Sequence, residues 1–124
     1  AGFCADAYAR LTGLGCAIAT SGPGATNLLT PLAASFYDSI PVLYLTGQVA
    51  TFRMTGDKGV RQIGFQETPV VDMVKLTTKF VAEPLRVEDV IPCLQDAVAI
   101  AKYGRPGPVL VSIPDDIQRA DIPA

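Results

Sequence analysis

Seven consecutive residues, Ser21-Gly22-Pro23-Gly24-Ala25-Thr26-Asn27, constrain this chain more than any other stretch. Cys16-Ala17-Ile18-Ala19-Thr20 precedes them, and Leu28-Leu29-Thr30-Pro31-Leu32-Ala33-Ala34 follows. An apolar run, a glycine turn and a helical pattern in succession predict a strand whose tight end loop opens a helix. Without a Cβ, Gly22 and Gly24 let the backbone bend and approach whatever lies above the strand end. Ser21 is placed to cap the helix, and Pro23 suits its first turn, where a missing N–H costs nothing. Ligands of open α/β sheets collect outside the carboxyl ends of strands, so a site is expected at this loop.

Several function classes drop out on composition. The 124 residues suffice for one domain with a real core, and 49% are hydrophobic against 18% charged, which suits a packed α/β interior. A net charge of -2 and the lack of any basic cluster leave no footprint for nucleic acid. No apolar run is long enough to span a bilayer, no signal peptide is visible, and no membrane partner is expected. Histidine is absent, which removes Ser-His-Asp and Cys-His catalysis and histidine-ligated zinc. No metal ligands are assigned, and no Walker A lysine follows the glycine loop. Cys4, Cys16 and Cys93 are far apart in apolar surroundings; they read as reduced, buried thiols and predict a cytoplasmic location.

Taken in order, the pattern predicts a first helix over 1–11, with Phe3, Ala7, Arg10 and Leu11 near one face and Gly13 as its stop. A helix that starts without a turn or cap suggests that Ala1 is internal to a longer protein. Strands are expected over 15–20 and 42–46, apolar throughout as in a parallel sheet covered on both faces. A helix over 24–37 lies between them. Residues 50–67 form the longest stretch without a pattern, and loops of that length are usually functional or mobile. Thr68 is expected to cap a short helix with Pro69 at its first position. A brief strand over 78–82, a helix over 87–103 ending at Gly104, and a last strand over 108–113 complete the pattern. From Pro114 the chain turns polar, so the domain is set at 1–118 and residues 119–124 as the start of a linker. The expected fold is α/β, a mainly parallel sheet flanked by helices, truncated at its N-terminus.

Four strings together resemble the N-terminal, pyrimidine-binding domain of thiamine-diphosphate enzymes of the acetolactate synthase type. They are Ala5-Asp6-Ala7-Tyr8-Ala9-Arg10, Thr20 to Asn27, Gly64-Phe65-Gln66-Glu67 and Gly104-Arg105-Pro106-Gly107-Pro108-Val109. They occur in family order and cover essentially the whole chain. The resemblance implies a domain that grips the aminopyrimidine ring of thiamine diphosphate, while a domain of a partner subunit holds the diphosphate through Mg2+. It implies a glutamate that hydrogen-bonds the ring nitrogen and promotes an imino tautomer, which then takes the C2 proton of the thiazolium and creates the nucleophile that attacks a 2-oxo acid. FAD is allowed as a further cofactor of the longer protein, and a homodimer or homotetramer is implied.

On this resemblance Pro23 and Asn27, with Gly22 and Gly24, fall near the pyrimidine ring, and Gln66 extends toward the reacting centre. Asn27 is the only asparagine of the chain. The family's glutamate would lie just before Ala1, and Asp6 and Glu67 do not stand in its place. Gly56-Asp57 resembles the start of the family's magnesium motif, but Lys58 follows and no asparagine lies downstream. The spacing Gly22-x-Gly24 also resembles a dinucleotide fingerprint, yet Asn27 replaces the third glycine and no acidic residue ends the next strand. Tyr8, Tyr37 and Tyr44 are read as core or interface residues.

Within the family the reaction is less constrained than the cofactor. Anabolic acetolactate synthases usually carry Gly-Thr-Asp-Ala before Phe-Gln-Glu, where this chain has Val60-Arg61-Gln62-Ile63-Gly64. Decarboxylation of pyruvate and its condensation to acetolactate is the leading expectation. Another thiamine-diphosphate 2-oxo acid decarboxylase, a C–C lyase, or a non-catalytic assembly module are the alternatives. By itself the chain is expected to bind the cofactor weakly and to turn over no pyruvate.

Overall fold

The computed structural model describes residues 1–122. Four strands, β1 (Gly15–Ala19), β2 (Val42–Gln48), β3 (Phe80–Ala82) and β4 (Val109–Pro114), form one sheet in the order β1-β2-β4-β3. All three pairings are parallel, with Gly15 opposite Val42, Leu43 opposite Val109 and Phe80 opposite Val109. The α/β class and the parallel sheet therefore agree with the sequence expectation. The central strand β4, covered from both sides, is buried except at Ile113. Two apolar clusters lie on opposite faces of the sheet, as the alternation of strand side chains requires.

On one face Ala17, Tyr44 and Leu110 meet helix α1 (Gly2–Thr12), helix α3 (Leu29–Tyr37) and helix α4 (Val70–Val74). On the other, Val109 and Val111 meet Ala97 and Ala101 of helix α5 (Val90–Lys102). Helix α1 lies so close to β1 that a Cβ on Gly15 would fall 2.1 Å from the Ala5 carbonyl oxygen. That approach admits only small residues, so α1 buries Gly2, Ala5, Asp6 and Ala9. The residues predicted to share a face, the larger Phe3 and Leu11 with Ala7 between them, point to solvent instead.

Asp6 is buried because every part of its carboxylate is used. Arg10 Nε donates to Oδ1 at 2.7 Å and Ser35 Oγ to Oδ2 at 2.7 Å, while Ser35 Oγ also lies 3.0 Å from the Tyr44 hydroxyl. Burial raises the Tyr44 pKa, which keeps the phenol neutral in the core. Tyr44 is thus a core residue, whereas Tyr8 and Tyr37 are exposed.

Several boundaries depart from the sequence expectation. The helix expected over 24–37 is two, α2 (Pro23–Thr26) and α3, because Pro31 has no N–H for the carbonyl of Asn27. Gly22 rather than Ser21 occupies the cap of α2, and Pro69 rather than Thr68 that of α4, neither with a side-chain cap bond. The polar stretch after Pro114 forms a helix, α6 (Asp115–Arg119), fastened by two bonds from Thr51 to Asp116 at 3.0 and 2.5 Å. Of the expected linker, residues 123 and 124 lie outside the described residues. Strand β1 is not covered on both faces: Cys16 and Ile18 are exposed, since β1 is a sheet edge and α5 packs over β2, β3 and β4. Accordingly none of the three thiols is buried; Cys4 and Cys16 are exposed and Cys93 is half-buried.

Candidate functional site

The segments that leave the carboxyl ends of β1 and β2 meet at Gly22. Its φ of 62° is a left-handed conformation that favours glycine. A Cβ there would sit 2.7 Å from Gln66 Cβ and 2.8 Å from the Gln66 carbonyl oxygen. The strand-end loop and the long loop after β2 are therefore packed backbone to backbone, a contact that any side chain at residue 22 would break. Gly24 packs similarly close, 2.7 Å from Thr20 Cγ2 by the same measure.

Beyond this contact the loop rises into solvent. Pro23 begins α2 and is exposed; Asn27 ends it and is also exposed. Asn27 Nδ2 donates to the Pro23 carbonyl at 2.8 Å, which orients its amide oxygen away as an acceptor. Among the described residues no hydrogen bond joins Asn27 to Gln66. Of the candidate residues, the fold brings Gly22 and Gln66 into contact and sets Pro23, Gly24 and Asn27 on the adjoining turn.

Gln66 is half-buried and has a φ of 64°, one of two non-glycine residues with positive φ among those described. Its neighbour Glu67 organises the long loop, a role the sequence reading missed. The Glu67 carboxylate accepts from Thr55 N at 2.5 Å, Thr55 Oγ1 at 2.6 Å, Ile63 N at 3.1 Å and Gly64 N at 3.3 Å. Burial acts to raise its pKa, but the Thr55 hydroxyl and the three backbone N–H groups prevail and hold it below the usual glutamate range. Asp116 is held low chiefly by the Thr51 hydroxyl. The only sequence signal for either role was an acid placed among small and hydroxyl residues in or beside a patternless stretch. The loop is thus a tied structure, pinned at Thr51, Thr55, Gly64 and Glu67.

Gln48, at the end of β2, donates to the Thr68 carbonyl at 2.8 Å, and Ser112 donates to Glu83 at 2.8 Å. A cavity of about 440 Å3 lies beside these groups, between the long loop and α4. A larger open cleft of about 920 Å3 lies beside the exposed Ile18 and the half-buried Leu45, bordered by Arg53, Asp115 and Arg119. Pro23, Asn27 and Gln66 do not line it. Thr46 Oγ1 is the one buried side-chain oxygen without a hydrogen-bond partner among the described residues. No group of three or more metal-ligating side chains occurs among them, and no helix among them is long and apolar enough to cross a membrane.

The family model described as "Thiamine pyrophosphate enzyme, N-terminal TPP binding domain" matches residues 1–75. The chain is similar to acetolactate synthase 2, chloroplastic, of Zea mays, with 49% identity over 118 residues, 94% of the chain and 18% of the relative. It is 48% identical to acetolactate synthase 1, chloroplastic, of Oryza sativa subsp. japonica, covering 94% of the chain and 17% of the relative. Acetolactate synthase, chloroplastic, of Arabidopsis thaliana is 47% identical over the same shares. The chain thus spans 17–18% of the length of these curated relatives. Their chloroplastic designation overturns the cytoplasmic location expected from the cysteines. Reduced thiols report a redox environment, not which reducing compartment supplies it.

Proposed function

The chain belongs to the N-terminal TPP-binding domains of thiamine pyrophosphate enzymes, and from that premise we propose that it forms the pyrimidine-facing half of an acetolactate synthase-like active site. The substrate is a 2-oxo acid, with pyruvate condensed to acetolactate, a step of branched-chain amino acid synthesis. The observation that carries the reading is the backbone contact of Gly22 with Gln66, which sets one candidate reacting-centre residue against the turn bearing Pro23 and Asn27.

Thiamine diphosphate, when bound, supplies the electron sink for decarboxylation and carbon–carbon bond formation. The residues of this chain bind and orient. Pro23 offers an apolar face to the ring, Asn27 offers its amide oxygen to an exocyclic N–H, and Gln66 offers an amide to the substrate oxygen. The fixed loop holds these groups in place before substrate arrives, so little ordering is needed at the moment of reaction. Mg2+ is held by another domain, FAD is a further cofactor to be assayed, and a second copy of the protein completes the site as a homodimer or homotetramer.

Calorimetric titration of the full-length protein with thiamine diphosphate and Mg2+, followed by a pyruvate-consumption assay, tests this. Cofactor binding with acetolactate as product is expected. Acetaldehyde as the sole product would make the protein a decarboxylase, and absence of cofactor binding would sink the reading altogether.

A further inference from the structure

The long loop concentrates its hydrogen bonding on a single carboxylate. Ionised glutamate has two oxygens and acceptor sites only, and Glu67 meets four donors from Thr55, Ile63 and Gly64 with them. Those donors come from twelve residues earlier and from the turn just before it, so one group closes the whole excursion. Further bonds converge on the same short segment. Glu67 N donates to the Gly64 carbonyl at 3.1 Å, and Gln62 Nε2 to the Glu67 carbonyl at 3.0 Å. Gly64 is buried against Val49, since a Cβ on it would lie 2.8 Å from Val49 Cγ1.

Between these fixed points stands Gln66, a non-glycine residue in the left-handed region. That conformation is strained and persists only where its surroundings over-determine it. Here they do so from both sides, Glu67 following it and Gly22 packed against it. We propose, resting on the functional reading above, that Glu67 is a positioning residue. Its carboxylate fastens Thr55, Ile63 and Gly64 so that Gln66 is held in its left-handed conformation against Gly22, and it acts on turnover through Gln66.

The chemistry of the four donors makes the proposal specific to a carboxylate. In Glu67→Gln one end of the side chain becomes NH2, a donor. Both glutamate oxygens face donors, so either amide orientation sets N–H against N–H or O–H at one of them. Glu67→Gln is therefore expected to behave like Glu67→Ala, although it matches the native shape. Glu67→Asp keeps the acceptors but shortens the reach, and is expected to restore part of the function. Thr55→Ala removes one hydroxyl only and is a milder disturbance that keeps the test open if the Glu67 variants fold poorly.

The experiment uses the full-length protein with thiamine diphosphate and Mg2+. Glu67→Gln is expected to lower kcat by up to about 10-fold, no more than the loss of Gln66 itself, with cofactor affinity unchanged. In a Gln66→Ala background the same substitution is expected to lower kcat no further. Equal losses in both backgrounds would overturn the proposal, because Glu67 would then act independently of Gln66. Backbone hydrogen exchange at Thr55, Ile63 and Gly64, read without any turnover, is expected to accelerate in Glu67→Gln and Thr55→Ala. Unchanged exchange in an active protein would overturn the proposal alone. Faster exchange in a protein whose wild type neither binds the cofactor nor consumes a 2-oxo acid would overturn the functional reading, and the positioning role with it.

Discussion

At the amino ends of the strands the protein spends its polar groups on itself. Arg105 Nε donates to Ser39 Oγ at 2.7 Å, Arg10 spans Asp6 and Asp38, and Lys79 caps the last carbonyls of α5 at Ile100 and Tyr103. At the carboxyl ends Pro23, Asn27 and Phe65 stand exposed on loops whose backbones are held rigidly from below. The four family-like strings divide between these ends. Those containing Asp6 and Arg105 fasten the scaffold, while those containing Gly22 and Gln66 set the exposed Pro23, Asn27 and Phe65 beside the tied Glu67. The four strings therefore mix residues that fasten the scaffold with residues exposed at the carboxyl ends of the strands, and their location separates the two.

The sharpest way to break this contrast is Gly22→Ala. It combines left-handed strain with a clash against Gln66 and is expected to destabilise by about 2–4 kcal/mol, read as a shift in denaturant midpoint. An unshifted midpoint would mean that the two loops are not held together as described. Asp6→Ala probes the scaffold instead. It deprives Arg10 and Ser35 of an acceptor and is expected to cost about 1–3 kcal/mol, with turnover of the surviving folded protein intact.

Gln66→Ala inverts that outcome. Turnover in the full-length protein is expected to fall about 10-fold, or 1.4 kcal/mol on the barrier, with folding stability and cofactor affinity maintained. If cofactor affinity fell in proportion, Gln66 would belong to the binding surface and not to the reacting centre. Arg105→Ala is expected to cost only about 0.5 kcal/mol, since the contact is exposed, and to leave kinetics untouched.

Acidification has the gentlest expected effect. The folded pKa of Glu67 is depressed, so its contribution is fully present above the unfolded value of about 4.3 and is lost as pH falls through the lower folded value. Asp116 follows the same sign. Limited proteolysis of the 50–67 segment is expected to be flat from neutral pH down to that range and to accelerate below it. Acceleration between pH 7 and 5 would point to a different latch.

The sequence by itself determined the class of fold, all four strands to within two residues at either end, and the place of the strand-end loop. Those features follow from local causes: apolar runs, glycine and proline punctuation, and a helical period. The break at Asn27 is also written locally, in Pro31, against a continuous apolar pattern that favours a single helix. Only the tertiary structure decided which face of α1 turns inward, because the close approach over Gly15 selects small residues over large ones. It alone made a helix of Asp115–Arg119 by supplying Thr51 as a partner 65 residues away. It alone showed Glu67 as the centre of the long loop. Hydrogen bonds between residues distant in sequence leave no period to read, and a carboxylate in a loop looks the same whether it faces water or four donors.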